Sequence, residues 1–518
     1  MHPAAQQCSP KPAQGAPTAK FYNARHPEKT LLYRIVAADV ETWRALASAG
    51  QFDGQGDHHT PSTYVTQAFH KYLQCGIFAH GFARARCDDC GHDFFVAFSC
   101  KGRGVCPSCN SRRMAETAAH LVDHVFPQLP VRQWVLSVPK RLRYFMQSDS
   151  AVLNTVLRIF LRVVQSHLHR HCPSAAQIDA HAVRIGAVAF IHRFGSSLNT
   201  HVHFHVCVVD GVFEVAALPN SDSSDPTEPE KITFHAATGL EANTISEVQQ
   251  EVQQTARQRI LRAFVARKLI ETTDAKAMAN TKHGGGFSVD AGVCIAAQDR
   301  AGLERLLRYC ARPPFALERL HQRGQNVVYH CPKPQPGGKQ QDLILTPLEL
   351  IARIAALVPP PRSHRHRYFG VLAPNSPQRA FVTAMAQGAV PTSPSTNQDD
   401  VPESANTNGN ADQEEKPRSR AHYLWAMLIA RIYEVFPLLC PHCGGQMQLI
   451  AFITSGEEVR KILEHIVEDA RAPKISPARG PPLWDGCDAP SDKSVVEPNW
   501  DDADQCMPDV DIDQSTSW

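Results

Sequence analysis

Pairs of cysteines separated by two residues constrain the fold of this chain more than any other feature of its sequence. Cys87-x2-Cys90 is followed, after fifteen residues, by Cys106-x2-Cys109. Each C-x2-C turn presents two thiolates to one ion, and two such turns complete a closed tetrahedral zinc site. We therefore predict a zinc-ribbon-like module in which Cys87, Cys90, Cys106 and Cys109 hold a structural Zn2+.

Other cysteines add alternatives to this prediction. The chain has 16 cysteines and no N-terminal signal peptide pattern, which favours metal-binding thiolates over disulfides. Cys75 and Cys100 lie close in sequence, and Cys100 could compete for a ligand position. A further pair, Cys440-x2-Cys443, supplies half of a second zinc site, and two buried thiols are the alternative interpretation. The residues that could complete the second site are His442, His465, Cys487 and Cys506.

Charge is distributed unevenly along the chain. The formal net charge is only +2, but residues 388–415 carry −6 and residues 485–518 carry −9, so the rest carries +17. A basic folded part is expected to bind a polyanion such as DNA or RNA, with scattered surface lysine and arginine as the alternative. Cations flank the cysteine pairs. The stretches "PKRLRYF" and "PRSHRHRYFG" mix cations with aromatics, a pattern that suits single-strand binding, with simple surface charge as the alternative. The predicted DNA-binding residues are Lys101, Arg103, Arg112, Arg113, Lys140, Arg141, Arg143, Arg365 and Arg367.

Length and composition predict several domains and no membrane span. At 518 residues the chain exceeds one hydrophobic core, and no run approaches the roughly 18 apolar residues that a span needs. We expect a cytoplasmic protein. The predicted organisation is a disordered N-terminus (1–20), a zinc-binding DNA-positioning domain (21–130), a domain of alternating strands and helices (131–385), a disordered linker (386–420), a C-terminal helix with a C-x2-C module (421–480) and an acidic disordered tail (481–518).

Histidines occupy one face of a predicted strand. In "NTHVHFHVCVVDG", His201, His203 and His205 alternate with apolar residues, so the imidazoles share a face and the apolar side chains bury the other. Two histidines at i and i+2 can hold a divalent ion. The spacing alone is a weak signal, because histidines that line a surface or a core show it too.

The preceding segment supplies a third ligand. "AVAFIHRFGSSLN" predicts an apolar strand near His192, a turn around Gly195, and a return into the histidine strand. In an antiparallel pair, His192 could meet His203 and His205 from the neighbouring strand. We prefer His192 over His201 because three histidines on one strand are nearly collinear.

A predicted helix carries a tyrosine among arginines. In "DRAGLERLLRYCARPP", Leu303, Leu306, Leu307 and Cys310 form a buried stripe, and two prolines end the helix. Tyr309 lies on or beside the polar face. Arginine forks match phosphate oxygens, and nearby positive charge favours phenolate, so Tyr309 is a candidate nucleophile for a phosphate. A half-buried tyrosine beside solvated arginines is the alternative. The arginines predicted to assist it are Arg305, Arg308 and Arg312.

Together these segments resemble a known family, the rolling-circle insertion-sequence transposases, close to the common-region subgroup. These are HUH endonucleases with an N-terminal transposase zinc-binding domain. The likeness covers most of residues 65 to 380 and resumes from about 421 to 484. It is carried by "RCDDCGHDFFVAFSCKGRGVCPSCNSRRMAETAAHLVD", "RQWVLSVP", "FGSSLNTHVHFHVCVVDGVF", "GLERLLRYCARPPFA", "LTPLELIARIAALVPPPRSHRHRYFGVLAPN" and "CPHCGGQMQLIAFI".

The resemblance implies an α+β fold with a central antiparallel sheet flanked by helices. It implies that His203 and His205 form the paired-histidine motif for Mg2+ or Mn2+ and that Tyr309 is the nucleophile. The expected partner is single-stranded DNA at the element ends and at the target site. Since Arg305 and Pro313 stand four residues either side of Tyr309, the chain is similar to one-tyrosine members. An oligomer on DNA and association with a bacterial nucleoid are also expected.

Two other functions fit part of this pattern. A plasmid relaxase or replication initiator uses the same chemistry, and an ATPase motif would favour it, but the sequence contains no G-x4-G-K-[ST]. A non-catalytic zinc-finger DNA-binding regulator is the alternative from another class, and it predicts that Tyr309→Phe leaves every activity intact.

Overall fold

The computed structural model describes residues 25–50, 60–215, 232–241, 243–332, 341–387, 440, 442–466 and 468–479. The expected N-terminal disorder at 1–20, nearly all of the linker at 386–420, the helix expected just before Cys440, and the acidic tail at 481–518 lie outside these residues. Contacts divide the chain into a smaller unit (1–28, 74–99 and 401–473) and a larger unit (29–73, 100–400 and 474–518).

Strands and helices alternate along the described chain. The helices are α1 (Leu31–Ser48), α2 (Thr63–Gln74), α3 (Pro107–His124), α4 (Lys140–Ser148), α5 (Ser150–Arg170), α6 (Ile245–Ala266), α7 (Thr272–Asn280), α8 (Arg300–Cys310), α9 (Pro347–Leu357), α10 (Arg379–Ala384) and α11 (Gly456–His465). The strands are β1 (Phe82–Cys87), β2 (Asp93–Ala97), β3 (Val131–Ser137), β4 (Val183–Arg184), β5 (Gly186–Phe194), β6 (Thr200–Val209), β7 (Gly211–Val215), β8 (Ile232–Ala236), β9 (Ser288–Asp290), β10 (Cys294–Ile295), β11 (Leu320–Arg323), β12 (Asn326–His330), β13 (Asp342–Leu345), β14 (His366–Gly370) and β15 (Met447–Ile453). Within the described residues there is no candidate for a membrane-spanning helix.

An antiparallel sheet forms the centre of the larger unit. Its strand order is β10-β3-β6-β5-β14, and β9 also pairs with β3. The strands predicted from "RQWVLSV", "IGAVAFIHRF" and "HVHFHVCVV" are β3, β5 and β6, so the sequence located the middle of this sheet. Two small antiparallel sheets, β4-β7-β8 and β11-β12-β13, complete the unit.

The two faces of the central sheet bury separate cores, because side chains alternate along each strand. Phe204 and Val206 of β6 lie in the larger core with α5 and α6. Cys207 and Val209 of β6 lie in a second core that includes the buried side chains of α3 and α8. Since His203 and His205 have the same parity as Cys207, the histidines share a face with α8.

The smaller unit is a three-stranded antiparallel sheet of order β15-β1-β2, covered by α11. Phe82 of β1 is fully buried and packs with Val459 and Leu463 of α11. The sequence predicted separate modules at 21–130 and 421–480, whereas β1 and β15 pair within one sheet. Local pattern alone does not reveal that pairing, because both strands are short and their partners are far apart in sequence.

The fold class predicted from the sequence is confirmed. The chain is mixed α+β, with antiparallel sheets flanked by helices and with cysteine-rich clusters near both ends. These elements bring together three groups of histidine and cysteine side chains.

Candidate active site

A β-hairpin brings three histidines together. β5 and β6 are antiparallel neighbours, and His192 lies directly across from His203, while His205 is two residues further along β6. The connecting turn is closed by the Gly195 amide, which donates to the Asn199 carbonyl at 2.9 Å. This is the hairpin that the apolar pattern and the glycine predicted.

The imidazoles of His192, His203 and His205 converge at one point. Each offers one ring nitrogen, and these three nitrogens all lie within 4.8 Å of one another. The ring centroid of His192 is 4.9 Å from that of His203 and 4.5 Å from that of His205. Three nitrogens this close form a donor set suited to a divalent metal ion.

Hydrogen bonds orient two of these rings for a cation. His192 Nε2 lies 2.6 Å from the Cys310 carbonyl, which can only accept, so Nε2 carries the proton. The buried Nδ1 has no hydrogen-bond partner among the described residues and keeps its lone pair. His203 donates Nδ1–H to the His201 carbonyl at 3.2 Å, which leaves Nε2 as its acceptor. Outer hydrogen bonds of this kind are typical of metal-ligating histidines.

Burial keeps these imidazoles neutral. It lowers the pKa of His192 to about 3, with a further contribution from the Arg312 charge. Burial, followed by the neighbouring His192 and His201, holds the pKa of His203 well below 6.5. Because only a neutral imidazole offers a lone pair, both rings are in the form that binds a metal ion at neutral pH.

His201, the competing third ligand, faces other groups. The Arg143 guanidinium donates to His201 Nδ1 at 3.0 Å, and His201 Nε2 lies 3.2 Å from the Ser137 hydroxyl. Both ring nitrogens are therefore engaged outside the histidine cluster. This arrangement favours His192 as the third ligand, as the hairpin geometry suggested.

Gln133 supports His205 from β3. Its amide nitrogen Nε2 is 2.8 Å from His205 Nδ1 and 3.3 Å from the Cys310 sulfur. An amide presents either its N–H or its oxygen, and the oxygen facing Nδ1 would leave Nε2 of His205 for a metal ion. Gln133 is only 2% exposed, so its contacts are protected from water.

Tyr309 lies beside the histidines near the C-terminus of α8. The Asp299 carboxylate caps this helix by accepting from the Gly302 amide at 2.7 Å. The predicted stripe is buried and fixes the helix against the sheet, and Tyr309 is half-buried. The Tyr309 ring centroid is 5.6 Å from that of His205, with the rings nearly perpendicular.

The three predicted arginines have different partners. Arg312 stacks on Tyr309, with its guanidinium carbon 4.3 Å from the ring centroid. Arg308 pairs with Glu304 at 2.7 Å, and exposed Arg305 lies 3.9 Å from the Asp299 carboxylate. The structure therefore brings one guanidinium onto the tyrosine, and the other two lie beside carboxylates.

Some predicted DNA-binding residues gather in a cationic group. Arg365, directly before β14, reaches the Arg103 carbonyl, and Arg103 donates to the Ser363 carbonyl at 2.8 Å. Burial, followed by the charges of Arg113 and Arg103, lowers the pKa of Arg365 to about 10. The Ile191 amide donates to the Arg365 carbonyl, so this group begins one residue from His192.

The other predicted DNA-binding residues are spread over the larger unit. Arg112 pairs with Glu116 at 2.6 Å, and Arg141 pairs with Asp274. Lys101 and Lys140 are exposed, and Arg367 hydrogen-bonds to the Asn154 side chain. Cations without carboxylate partners are better placed to meet phosphate than those already in ion pairs.

The cysteines are grouped differently from the sequence prediction. Cys87 and Cys90 lie with Cys440 and Cys443 in the smaller unit, not with the second predicted pair. The physical reason is the β1–β15 pairing, which brings the distant C-x2-C turn beside the first.

Cys106 and Cys109 belong to the larger unit, where Cys106 is the N-cap residue of α3. Their sulfurs and that of Cys100 lie within 4.8 Å of one another. Cys100, considered a competitor in the sequence, is therefore part of the second group.

Sequence reasoning missed Gln133, Cys310 and Phe194. Gln133 is a polar residue in the apolar run "RQWVLSV", and that mismatch was the available signal. The Cys310 backbone acts through its carbonyl, which no sequence pattern reports. Phe194 stacks on His192 at 4.9 Å and also lies under Arg312.

Comparison with known proteins gives two family matches. Residues 186–380 match a family model described as "Putative transposase", and residues 48–138 match one described as "Transposase zinc-binding domain", of the IS91 type. The first range contains the three histidines and Tyr309. Searches of curated proteins and of solved structures found no match.

Proposed function

We propose, on the premise that the chain carries an IS91-type zinc-binding domain and a transposase domain, that it is a single-strand DNA transposase of the rolling-circle kind. In this proposal it cuts and rejoins DNA at the ends of an insertion sequence, with Tyr309 as the single nucleophile. The proposed catalytic metal ligands are His192, His203 and His205, and the proposed ion is Mg2+ or Mn2+.

One observation carries the proposal. The Tyr309 ring is 5.6 Å from the His205 ring, and the His205 ring belongs to a cluster whose three ligand atoms lie within 4.8 Å of one another. A phenol and a cation site arranged in this way can both reach one phosphate group. The hairpin fixes the imidazoles and the buried stripe of α8 fixes the tyrosine, so neither depends on an exposed loop.

The residues fit a divalent cation, since the hydrogen bonds of His192 and His203 leave lone pairs aimed into the cluster. When bound, Mg2+ or Mn2+ supplies positive charge to the phosphoryl oxygens and holds the phosphate in place. The neutral imidazoles bind and orient without adding negative charge that would repel DNA. Gln133 orients the His205 ring through a hydrogen bond to Nδ1, and the Cys310 carbonyl orients the His192 ring through a hydrogen bond from Nε2.

Tyr309 performs the covalent step. Its hydroxyl gives up a proton to water, and the oxygen forms a bond to phosphorus while the bond from phosphorus to the 3′ oxygen breaks. The departing oxygen takes up a proton as a 3′ hydroxyl, and the 5′ side remains on Tyr309 as a phosphotyrosine. Attack by another 3′ hydroxyl reverses the step and reseals the strand. One ester is exchanged for another, so rejoining needs no ATP.

The arginines have separate roles in this scheme. Arg312 lies on the Tyr309 ring, where its guanidinium can attract phosphate to the tyrosine. Arg365, with Arg103 and Arg113, forms a half-buried cationic group beside the His192 strand. We infer that the DNA backbone crosses this group before it reaches Tyr309.

The test is formation of a covalent adduct. The zinc-loaded full chain is incubated with Mn2+ and a labelled random-sequence single-stranded oligonucleotide library, and products are separated on a denaturing gel. An adduct that resists denaturation is expected, and mass spectrometry of its peptides should find the nucleotide on Tyr309.

Two variants make this test specific. Tyr309→Phe should abolish the adduct, whereas Tyr33→Phe, in the core around α1, should form it at the wild-type level. An adduct that persists in Tyr309→Phe, or that maps to another side chain, would rule out the assignment of the nucleophile.

A further inference from the structure

Two turns in the smaller unit repeat one backbone pattern. The Cys87 backbone carbonyl accepts from the Gly91 amide at 3.0 Å, and the Cys440 backbone carbonyl accepts from the Gly444 amide at 2.9 Å. Both glycines have positive φ, 70° and 76°, which few other residues adopt readily. The Cys87 amide donates to the carbonyl of residue 92 at 2.9 Å, and the Cys440 amide donates to that of residue 445 at 2.7 Å. Each turn therefore presents a C-x2-C pair in the same way.

The sheet holds these two turns side by side. β1 pairs with β15 so that Cys87 lies across from Met447, at the end where both turns are attached. Cys87, Cys440 and Met447 are buried together. Packing of α11 on Phe82 anchors the other end of the strand pair. The turns therefore meet because two segments about 350 residues apart share a sheet.

The four sulfurs have the spacing of a zinc site. Cys87 Sγ is 3.5 Å from Cys443 Sγ, Cys90 Sγ is 3.5 Å from Cys440 Sγ, and all four lie within 4.8 Å of one another. Sulfurs at the corners of a tetrahedron around Zn2+, with bonds of about 2.3 Å, would be separated by about 3.8 Å. All four cysteines are free of disulfides.

Backbone amides also suit thiolate sulfur in the second turn. The residue 442 amide donates to Cys440 Sγ, and the Gly445 amide donates to Cys443 Sγ, both at 3.4 Å. Amide donors stabilise sulfur that carries negative charge. Two turns with matched geometry and four converging sulfurs are a complete ligand set.

We propose that Cys87, Cys90, Cys440 and Cys443 bind one structural Zn2+, which we call the zinc clasp. The matched zinc-binding domain ends at residue 138, so half of the ligands of this site come from outside it. Four thiolates fill the coordination sphere, and the clasp therefore stabilises the β1–β15 sheet rather than catalysing a reaction. The inference does not depend on the tyrosine chemistry.

The competing arrangement pairs Cys87 and Cys90 with Cys106 and Cys109. Zinc content distinguishes the two arrangements. It is measured by metal mass spectrometry on full-length protein that is purified without a refolding step. Cys87→Ser/Cys90→Ser and Cys440→Ser/Cys443→Ser should each lose one equivalent of zinc relative to wild type. The quadruple variant should also lose only one equivalent, since both pairs serve the same ion.

Several results would overturn the clasp. It fails if Cys440→Ser/Cys443→Ser keeps the wild-type zinc content, or if the quadruple variant loses two equivalents. Cys294→Ser, an exposed cysteine of the larger unit, is the matched control and should keep all zinc.

A rescue variant separates ligand loss from misfolding. Cys443 is exposed, and histidine is a common zinc ligand. Cys443→His should therefore keep the one equivalent of zinc that Cys443→Ala loses. With Co2+ in place of zinc, the sulfur charge-transfer absorption of Cys443→His should fall by the share of one thiolate in four. Equal zinc loss in the histidine and alanine variants would count against direct ligation.

Discussion

The histidine site and the zinc clasp both begin from paired ligands at short spacing, but they draw the remaining ligands from different distances. His192 reaches His203 and His205 across one hairpin turn, within fourteen residues of chain. Cys87 and Cys90 meet Cys440 and Cys443 across about 350 residues. Short-range ligands can be inferred from period and turn residues, whereas long-range ones depend on which strands pair.

The largest effect is expected on metal binding at the histidine site, whose ligands are close together in sequence. His192→Ala should weaken Mn2+ binding by more than about 100-fold, beyond the 10- to 100-fold typical of losing an outer partner. His201→Ala, whose ring faces Arg143 and Ser137, should change the affinity less than about threefold. Titration followed by the Mn2+ electron paramagnetic resonance signal measures both. The opposite ranking would move the third ligand to His201.

The folding stability of the larger unit should decrease in acid because of a buried histidine in α5. His167 of α5 is 4% exposed, and burial, followed by Arg170, lowers its pKa to about 4. In the unfolded chain a histidine titrates near 6.5, so between these values the unfolded state binds more protons. Stability from His167 is complete above pH 6.5 and falls by up to about 3 kcal/mol as the pH approaches 4.

Urea unfolding at several pH values measures this effect. In wild type, the urea concentration at the unfolding midpoint should fall between pH 6.5 and 4, and His167→Gln should make this fall smaller. His181 is exposed, so His181→Gln should follow wild type. Parallel curves for His167→Gln and wild type would show that another group causes the acid sensitivity.

A third prediction concerns the long-range contacts of the histidine site. Gln133→Leu removes the partner of His205 and should weaken Mn2+ binding by roughly 10- to 100-fold. Gln133→Glu can still accept from Nδ1 and should stay within about tenfold of wild type. If leucine and glutamate behave alike, Gln133 acts only through packing, and the hairpin alone determines the affinity.

The smallest effect is expected on DNA binding. Arg365→Gln should weaken binding of a random single-stranded oligonucleotide a few fold and reduce the salt dependence by roughly 0.7 per lost phosphate contact. Arg112→Gln should have less effect, because Arg112 is already paired with Glu116. Fluorescence anisotropy at several salt concentrations measures the slopes. An unchanged slope for Arg365→Gln would exclude the half-buried cationic group from the proposed DNA path.

Much of the central sheet and its site could be predicted from local pattern. The alternation in β6, the glycine turn, and the leucine stripe of α8 each report local geometry. The pairing of β1 with β15 could not be predicted, because many short strands have compatible patterns. The roles of Gln133 and the Cys310 carbonyl were also hidden, since both arise only when α8 docks on the sheet.

The last turn of α8 combines two tasks at adjacent residues. Tyr309 faces the imidazoles, and the next carbonyl holds His192. Each residue of an α-helix advances by about 100°, so an insertion or deletion of one residue within α8 would turn the phenol away and misplace that acceptor together. The length of α8 is therefore constrained by both groups at once, whereas an exposed residue such as Arg305 can be replaced without moving either of them.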